Sequence, residues 1–190
     1  MAFSKIAAEN LGGSTLPAIS GASLTNVDIG NYSVHAIAEY GETTQYDFTS
    51  SAHPVQISNE SCNLTATSTS DIFIATISCS AYTNVAGNGF GLMLVKDTAS
   101  DFSNSNGDTT GNYWLHQTGR YTEMAESTNF YANLSYTCKF TLPNTTQTYF
   151  RLNGMIQRPS SGTVTFNVDS YATTEFTRHG VQIVQYKYNG

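Results

Sequence analysis

At 190 residues the chain suits one domain with a short extension, and a core of about 150 residues closes without disulfide or metal staples. Charged residues make up 12% of it, roughly half the usual share, while Ser, Thr and Asn supply 63 residues; this is not the Lys-, Glu- and Arg-rich surface of a helical protein but a composition for pleated sheets. The net charge of -6 carries no basic stripe, which argues against nucleic-acid binding, and no apolar run approaches the ~20 residues of a membrane span.

The first distinctive stretch is Leu11 to Val27, LGGSTLPAISGASLTNV. Gly12, Gly13 and Gly21 are poor helix residues and Pro17 lacks a backbone donor. Leu16, Ile19, Leu24 and Val27 are apolar but divided by small polar residues, so the strip has too little bulk to bury itself. The expectation is an extended attachment arm over residues 1–31, with Leu16, Pro17, Ile19, Leu24 and Val27 as its partner-binding anchors, ahead of a β domain over residues 32–190. A flexible tail or a first edge strand is the plainer alternative.

From residue 34 the pattern changes to short strands. Val34, Ala36, Ala38 and Tyr40 alternate with His35, Ile37 and Glu39, and are expected to face inward. Short strands are expected at 45–48 and 54–58, and a half-buried one at Cys62 to Thr67. Ile72 to Cys79 and Phe90 to Val95 are apolar on both faces, which predicts a sandwich core on one side and a neighbouring subunit on the other. Gly87-Asn88-Gly89-Phe90-Gly91 enters a strand rather than a helix, so it reads as a turn and not a phosphate cradle.

Lys96 to Gly111 is a long polar loop with Phe102 as its single large apolar residue. A strand resumes at Tyr113 to Leu115. Leu134, Tyr136, Cys138, Phe140 and Leu142 share one face of the clearest strand, and Tyr149 to Gln157 follows with Gly154 as a candidate bulge. Val164, Phe166 and Val168 face inward, and Val181 to Tyr188 is the last strand. Eight to ten short strands with polar turns predict an all-β, jelly-roll-like sandwich.

The residues Leu16-Pro17-Ala18-Ile19-Ser20-Gly21-Ala22-Ser23-Leu24-Thr25-Asn26-Val27 resemble a motif in the N-termini of bacteriophage fibre and head-decoration proteins, where it sits near the attachment end, before a trimeric tip. The ending His179 to Gly190 resembles the last strand of phage tip domains of the trimeric jelly-roll type, related in shape to the complement and tumour-necrosis-factor head. The resemblance covers about the first 27 and last 30 residues. It implies a virion structural protein, a head fibre or capsid-decoration homotrimer made in the host cytoplasm and displayed on the particle surface. The arm would bind the major capsid protein or another virion protein. Periodicity by itself allows a dimer as readily as a trimer. The N-terminus also shows no charged region followed by an apolar one, so no signal peptide is expected.

Sites for chemistry are sparse. His35, His53, His116 and His179 are far apart, no nucleophile motif is present, and neither a catalytic residue, a cofactor nor a metal is expected. Asp97, Asp101 and Asp108 could hold calcium, but their spacing is not that of an EF-hand loop. Glu123 and Glu126 share a polar loop with nothing to raise either pKa. Cys62, Cys79 and Cys138, odd in number and widely spaced, read as buried free thiols. The sequons at Asn31, Asn59, Asn63, Asn133 and Asn144 are ordinary in so Thr-rich a chain. Tyr113, Trp114 and His116 form a candidate sugar-stacking platform, so a tail-fibre tip binding a host-surface glycan is the alternative function.

Overall fold

The computed structural model describes residues 31–49, 52–103, 114–117, 123–125, 128–157, 161–167 and 179–190, with backbone only at 52–54, 114–117, 123–124 and 179. All regular structure among them is strand: β1 (Tyr32–Glu42), β2 (Tyr46–Phe48), β3 (Ala52–Gln56), β4 (Cys62–Thr65), β5 (Ile72–Thr83), β6 (Gly89–Asp97), β7 (Trp114–Gln117), β8 (Glu123–Met124), β9 (Phe130–Phe140), β10 (Gln147–Gln157), β11 (Val164–Phe166) and β12 (His179–Tyr188).

These twelve pieces fill eight strand positions, because several lie end to end. β1 pairs with β12 and β2 with β11, while β11 and β12 share one edge of β5. In the same way β3 and β4 follow one another along β10, and β7 and β8 along β6. The first sheet therefore runs β1/β2, β12/β11, β5, β9, and the second runs β3/β4, β10, β6, β7/β8. Numbered along the chain, the positions read 1-8-3-6 and 2-7-4-5. This is one long antiparallel hairpin, pairing 1 with 8, 2 with 7, 3 with 6 and 4 with 5, rolled into two four-position sheets. The expected jelly roll is present.

Period-two alternation decides which side chains meet between the sheets. Phe73, Ala75, Ile77, Cys79 and Ala81 of β5 are buried there against Phe90, Leu92 and Leu94 of β6 and Phe150, Leu152 and Ile156 of β10. The ring of Phe73 stacks on Phe140 of β9 at 5.3 Å between centroids. Val164 and Phe166 are in the same core, and the strand stops there because Asn167 adopts a left-handed backbone, φ 61°. Asn167 is buried and uses its amide to tie the β1–β2 kink, donating to the carbonyls of Glu42 and Thr44 at 3.2 and 2.8 Å. Pro54 lies on β3, an edge position where its missing donor costs nothing.

Two expectations from periodicity need correction. The β1–β12 register shifts between Val34 and Ala36, leaving His35 without a partner. This bulge reverses the face of everything before it, so Val34 points outward and is 53% exposed, while Ala36, Ala38 and Tyr40 pack on the core as expected. The second correction concerns β6. Met93 and Val95, on its outer face, are fully buried within a single chain. Beside Val95 on β10 is Arg151, whose guanidinium lies 4.2 Å from the ring of Phe102, a buried residue with φ 55° in the long loop. Two-sided apolarity of β6 therefore does not call for a neighbouring subunit.

Candidate functional site

The arm anchors Leu16, Pro17, Ile19, Leu24 and Val27 lie outside the described residues, as does Tyr113. The structure does show where the chain joins the roll. The Asn189 amide donates to the Asn31 carbonyl at 2.8 Å, and the rings of Tyr32 and Tyr188 are 5.3 Å apart. The chain thus enters β1 directly beside the end of β12.

That end is held by Asp71, which is fully buried in the turn before β5. Its carboxylate accepts from the Thr67 amide at 2.6 Å, the Ser68 amide at 3.2 Å, Gln185 Nε2 at 3.0 Å and the Tyr188 amide at 3.1 Å. Burial by itself would raise the Asp71 pKa, but the donors from Tyr188, Gln185 and Thr67 outweigh it and hold the carboxyl below its ordinary value. Glu42 at the opposite end of β1 is similar. Its burial is outweighed by the Thr44 hydroxyl and the amides of Asn59, Thr44 and Thr43. Sequence patterning missed both residues; each is an acid with Thr or Ser beside it in a turn, the composition of a side-chain-capped loop.

The acids of the long loop are used locally. Asp97 is buried at the end of β6 and accepts from the Ala99 amide at 2.9 Å; Asp101 is exposed and accepts from the Ser103 amide at 3.0 Å. Asp108 lies outside the described residues. Among the described residues no three His, Cys, Asp or Glu side chains come together as a metal-binding group. Cys62, Cys79 and Cys138 are buried free thiols, as expected. Trp114 and His116 take positions on β7, an edge strand, opposite Val95 and Leu94 with a register shift between them; their side chains, with Glu123 and Glu126, lie outside what is described.

What the fold assembles instead is the outer face of the first sheet, set in rows by the register. Ile37 lies beside Val184, Val184 beside Ile74, and Ile74 beside Lys139. One row toward the chain entry, Val34, Tyr186 and Ile72 are neighbours. One row the other way come Glu39, Gln182, Thr76 and Thr137, where Gln182 Nε2 donates to Glu39 Oε2 at 2.9 Å. Beyond it Gly41, Gly180, Ser78 and Ser135 form a trough of small residues. Ile37 is 59% exposed, and Tyr32, Ile72, Ile74, Tyr186 and Lys139 border an open cavity of about 270 Å³. The face is apolar near the chain entry and polar farther along.

No protein-family model matches the sequence, and a search of curated proteins finds no match. Among solved structures, the chain is similar to one of infectious bursal disease virus, Gx strain, at 13% identity and a TM-score of 0.39, covering 82% of this chain and 37% of that one. It is also similar to the VP2 subviral particle of infectious bursal disease virus, at 12% identity and a TM-score of 0.41, covering 81% and 40%. A third likeness is to dimeric latent PorU from Porphyromonas gingivalis, at 7% identity and a TM-score of 0.38, covering 83% and 13%. The chain spans well under half the length of each of these structures, and likenesses this loose carry no argument about what it does.

Proposed function

We propose that this chain is a structural protein of a virus particle, a head fibre or capsid-decoration protein that attaches through its first 30 residues and displays the jelly roll. One observation carries the reading. All eight positions of the roll are filled by strands between Tyr32 and Tyr188, so neither sheet calls on the leader for a strand. The leader's apolar anchors, which resemble those of phage fibre and decoration proteins, are then available to another surface. Attachment would proceed by extended docking or strand addition, with several arms of one oligomer adding avidity, and without catalysis. The test is co-sedimentation with virus particles that lack the protein. The full chain is expected to bind, and a chain missing residues 1–30 to lose at least tenfold in affinity. Equal binding by the two would end the reading.

A second reading, a tip that binds a host-surface glycan, is favoured by the place of Trp114 and His116 on an edge strand next to the long loop. A glycan array probed with the full chain and with Trp114→Ala separates the two: loss of a specific signal in the variant supports glycan binding, and no signal from either chain removes it.

A further inference from the structure

We infer that Asn189-Gly190 is, among the described residues, the Asn-Gly pair that the fold leaves open to spontaneous deamidation, and that this reaction sets a new carboxylate where the leader joins the roll. The inference goes beyond the attachment reading and does not depend on what the leader binds.

An asparagine followed by glycine carries its own chemistry. The glycine backbone nitrogen attacks Cγ of the asparagine side chain. An N–Cγ bond forms, the Cγ–Nδ2 bond breaks, and the side-chain nitrogen leaves as ammonia with the proton of the attacking N–H. The five-membered imide then takes up one water. Opening at Cγ gives aspartate; opening at the backbone carbonyl gives isoaspartate, with the chain rerouted through the side chain. Oxidation states do not change, and water is the co-reactant. Ring closure needs a next residue with no Cβ in the way, a nitrogen not held in a hydrogen bond, and a backbone able to turn out of the extended strand conformation.

Asn-Gly occurs at 88–89, 106–107, 153–154 and 189–190. Asn106-Gly107 lies outside the described residues. Asn88 is fully buried; its Nδ2 donates to Thr83 Oγ1 at 3.1 Å and its carbonyl accepts from the Ala125 amide at 2.9 Å. Gly89 begins β6, between Gln157 of β10 and Met124 of β8. Asn153 is buried within β10 and accepts from Arg151 Nε at 3.2 Å, and Gly154 lies between Val55 of β3 and Leu92 of β6. Both pairs are set in a sheet that must open before either ring can close.

Asn189-Gly190 lacks these restraints. Both residues are exposed and lie past the end of β12. Among the described residues the Gly190 N–H has no hydrogen-bond partner. The Asn189 side chain is tethered to Ser33, whose Oγ is 3.0 Å from Nδ2 and 3.4 Å from Oδ1, an exposed contact with which water competes. The backbone amide of Asn189 donates to the Asn31 carbonyl at 2.8 Å, so the altered residue stands at the root of the leader. Either product replaces an –NH2 donor with a carboxylate that only accepts. The Ser33 hydroxyl can donate to it, so the roll stays folded while its entry point gains a negative charge.

The test is peptide mapping by mass spectrometry of the full chain, incubated at about pH 8 in buffer and in guanidinium chloride. In buffer, conversion at Asn189 is expected to be at least tenfold faster than at Asn88 and Asn153, with isoaspartate among the products. In denaturant the three rates are expected to converge, because the same dipeptide is then equally open at each site. Asn189→Gln, which would have to close a six-membered ring, is expected to stay unmodified at 189. Conversion at Asn189 no faster than at Asn88 and Asn153 in buffer overturns the inference, as does a rate at Asn189 that rises tenfold on unfolding, since the fold then protects that pair too. A converted chain that has lost its far-ultraviolet spectrum overturns the second half, in which the roll survives the change. Each of these outcomes leaves the attachment reading as it stands.

Discussion

Gly154 faces the core at the point where β10 crosses Phe166. A Cβ there would lie 2.9 Å from two atoms of the Phe166 ring and 3.0 Å from the Ile57 side chain. The register with β3 shifts just after it, while the register with β6 runs on unbroken. The sequence flagged this glycine as a bulge, but the extra residue is on β3, where residues 53 and 54 face the single residue 155 of β10; the reason for the glycine is the aromatic ring packed on its face. Gly154→Ala is expected to cost about 1–3 kcal/mol by overpacking, measured as a lowered urea midpoint at unchanged slope. The cysteines give a second prediction at this scale. Burial pushes the Cys62 and Cys79 thiols up to about 12 and Cys138 up to about 11. A thiol reagent at pH 8 is expected to leave all three unmodified in the folded chain and to label all three in denaturant. Their inertness was legible from number and spacing. The bulge at His35 was not, because no residue type in Val34-His35-Ala36 marks it; it exists only in the pairing of β1 with β12.

At the scale of elements, Asp71 joins two pieces of chain, its own turn and β12, holding the latter at the Gln185 side chain and at the Tyr188 amide that ends the strand. Asp71→Asn puts a donor among donors and is expected to cost about 2–4 kcal/mol, again read by urea unfolding. The pH dependence follows from the direction of its shift. Asp71 and Glu42 have folded pKa values below their unfolded ones. Their contribution is complete above the unfolded carboxylate value of about 4 and is lost as pH falls through the folded values. The chain should therefore lose stability as pH falls below about 4, with a shallower acid limb in Asp71→Asn than in the parent, seen by thermal unfolding across the acid range. Strand existence was readable because alternation is a local property: β5, β9, β10 and β12 all appear where the apolar pattern places them. The part played by Asp71 was not, since two of its donors come from 114 and 117 residues away.

At the scale of the whole molecule, the completeness of the roll yields a prediction about the leader. A chain beginning at residue 31 is expected to fold, with a melting temperature within a few degrees of the parent's and the same far-ultraviolet spectrum, because described residues between 32 and 188 fill all eight strand positions. A truncated chain that is unfolded by circular dichroism would show that the leader belongs to the core.

The sequence by itself determined the all-β class, the strand-by-strand alternation, the buried thiols and the contrast between a low-bulk leader and a core-forming remainder. Each of these depends on residue type and local spacing, which the linear chain carries in full. Only the tertiary structure decided the rest. β6 proved to be covered by its own chain, whereas the outer face of β1, β12 and β5 stays open. The row from Ile37 through Val184 and Ile74 to Lys139 joins residues 37, 184, 74 and 139, neighbours set by strand order and register rather than by anything nearby in sequence. A one-residue shift in pairing exchanges the two faces of a strand, so which apolar residues meet the core and which face outward is fixed when the strands pair and not before.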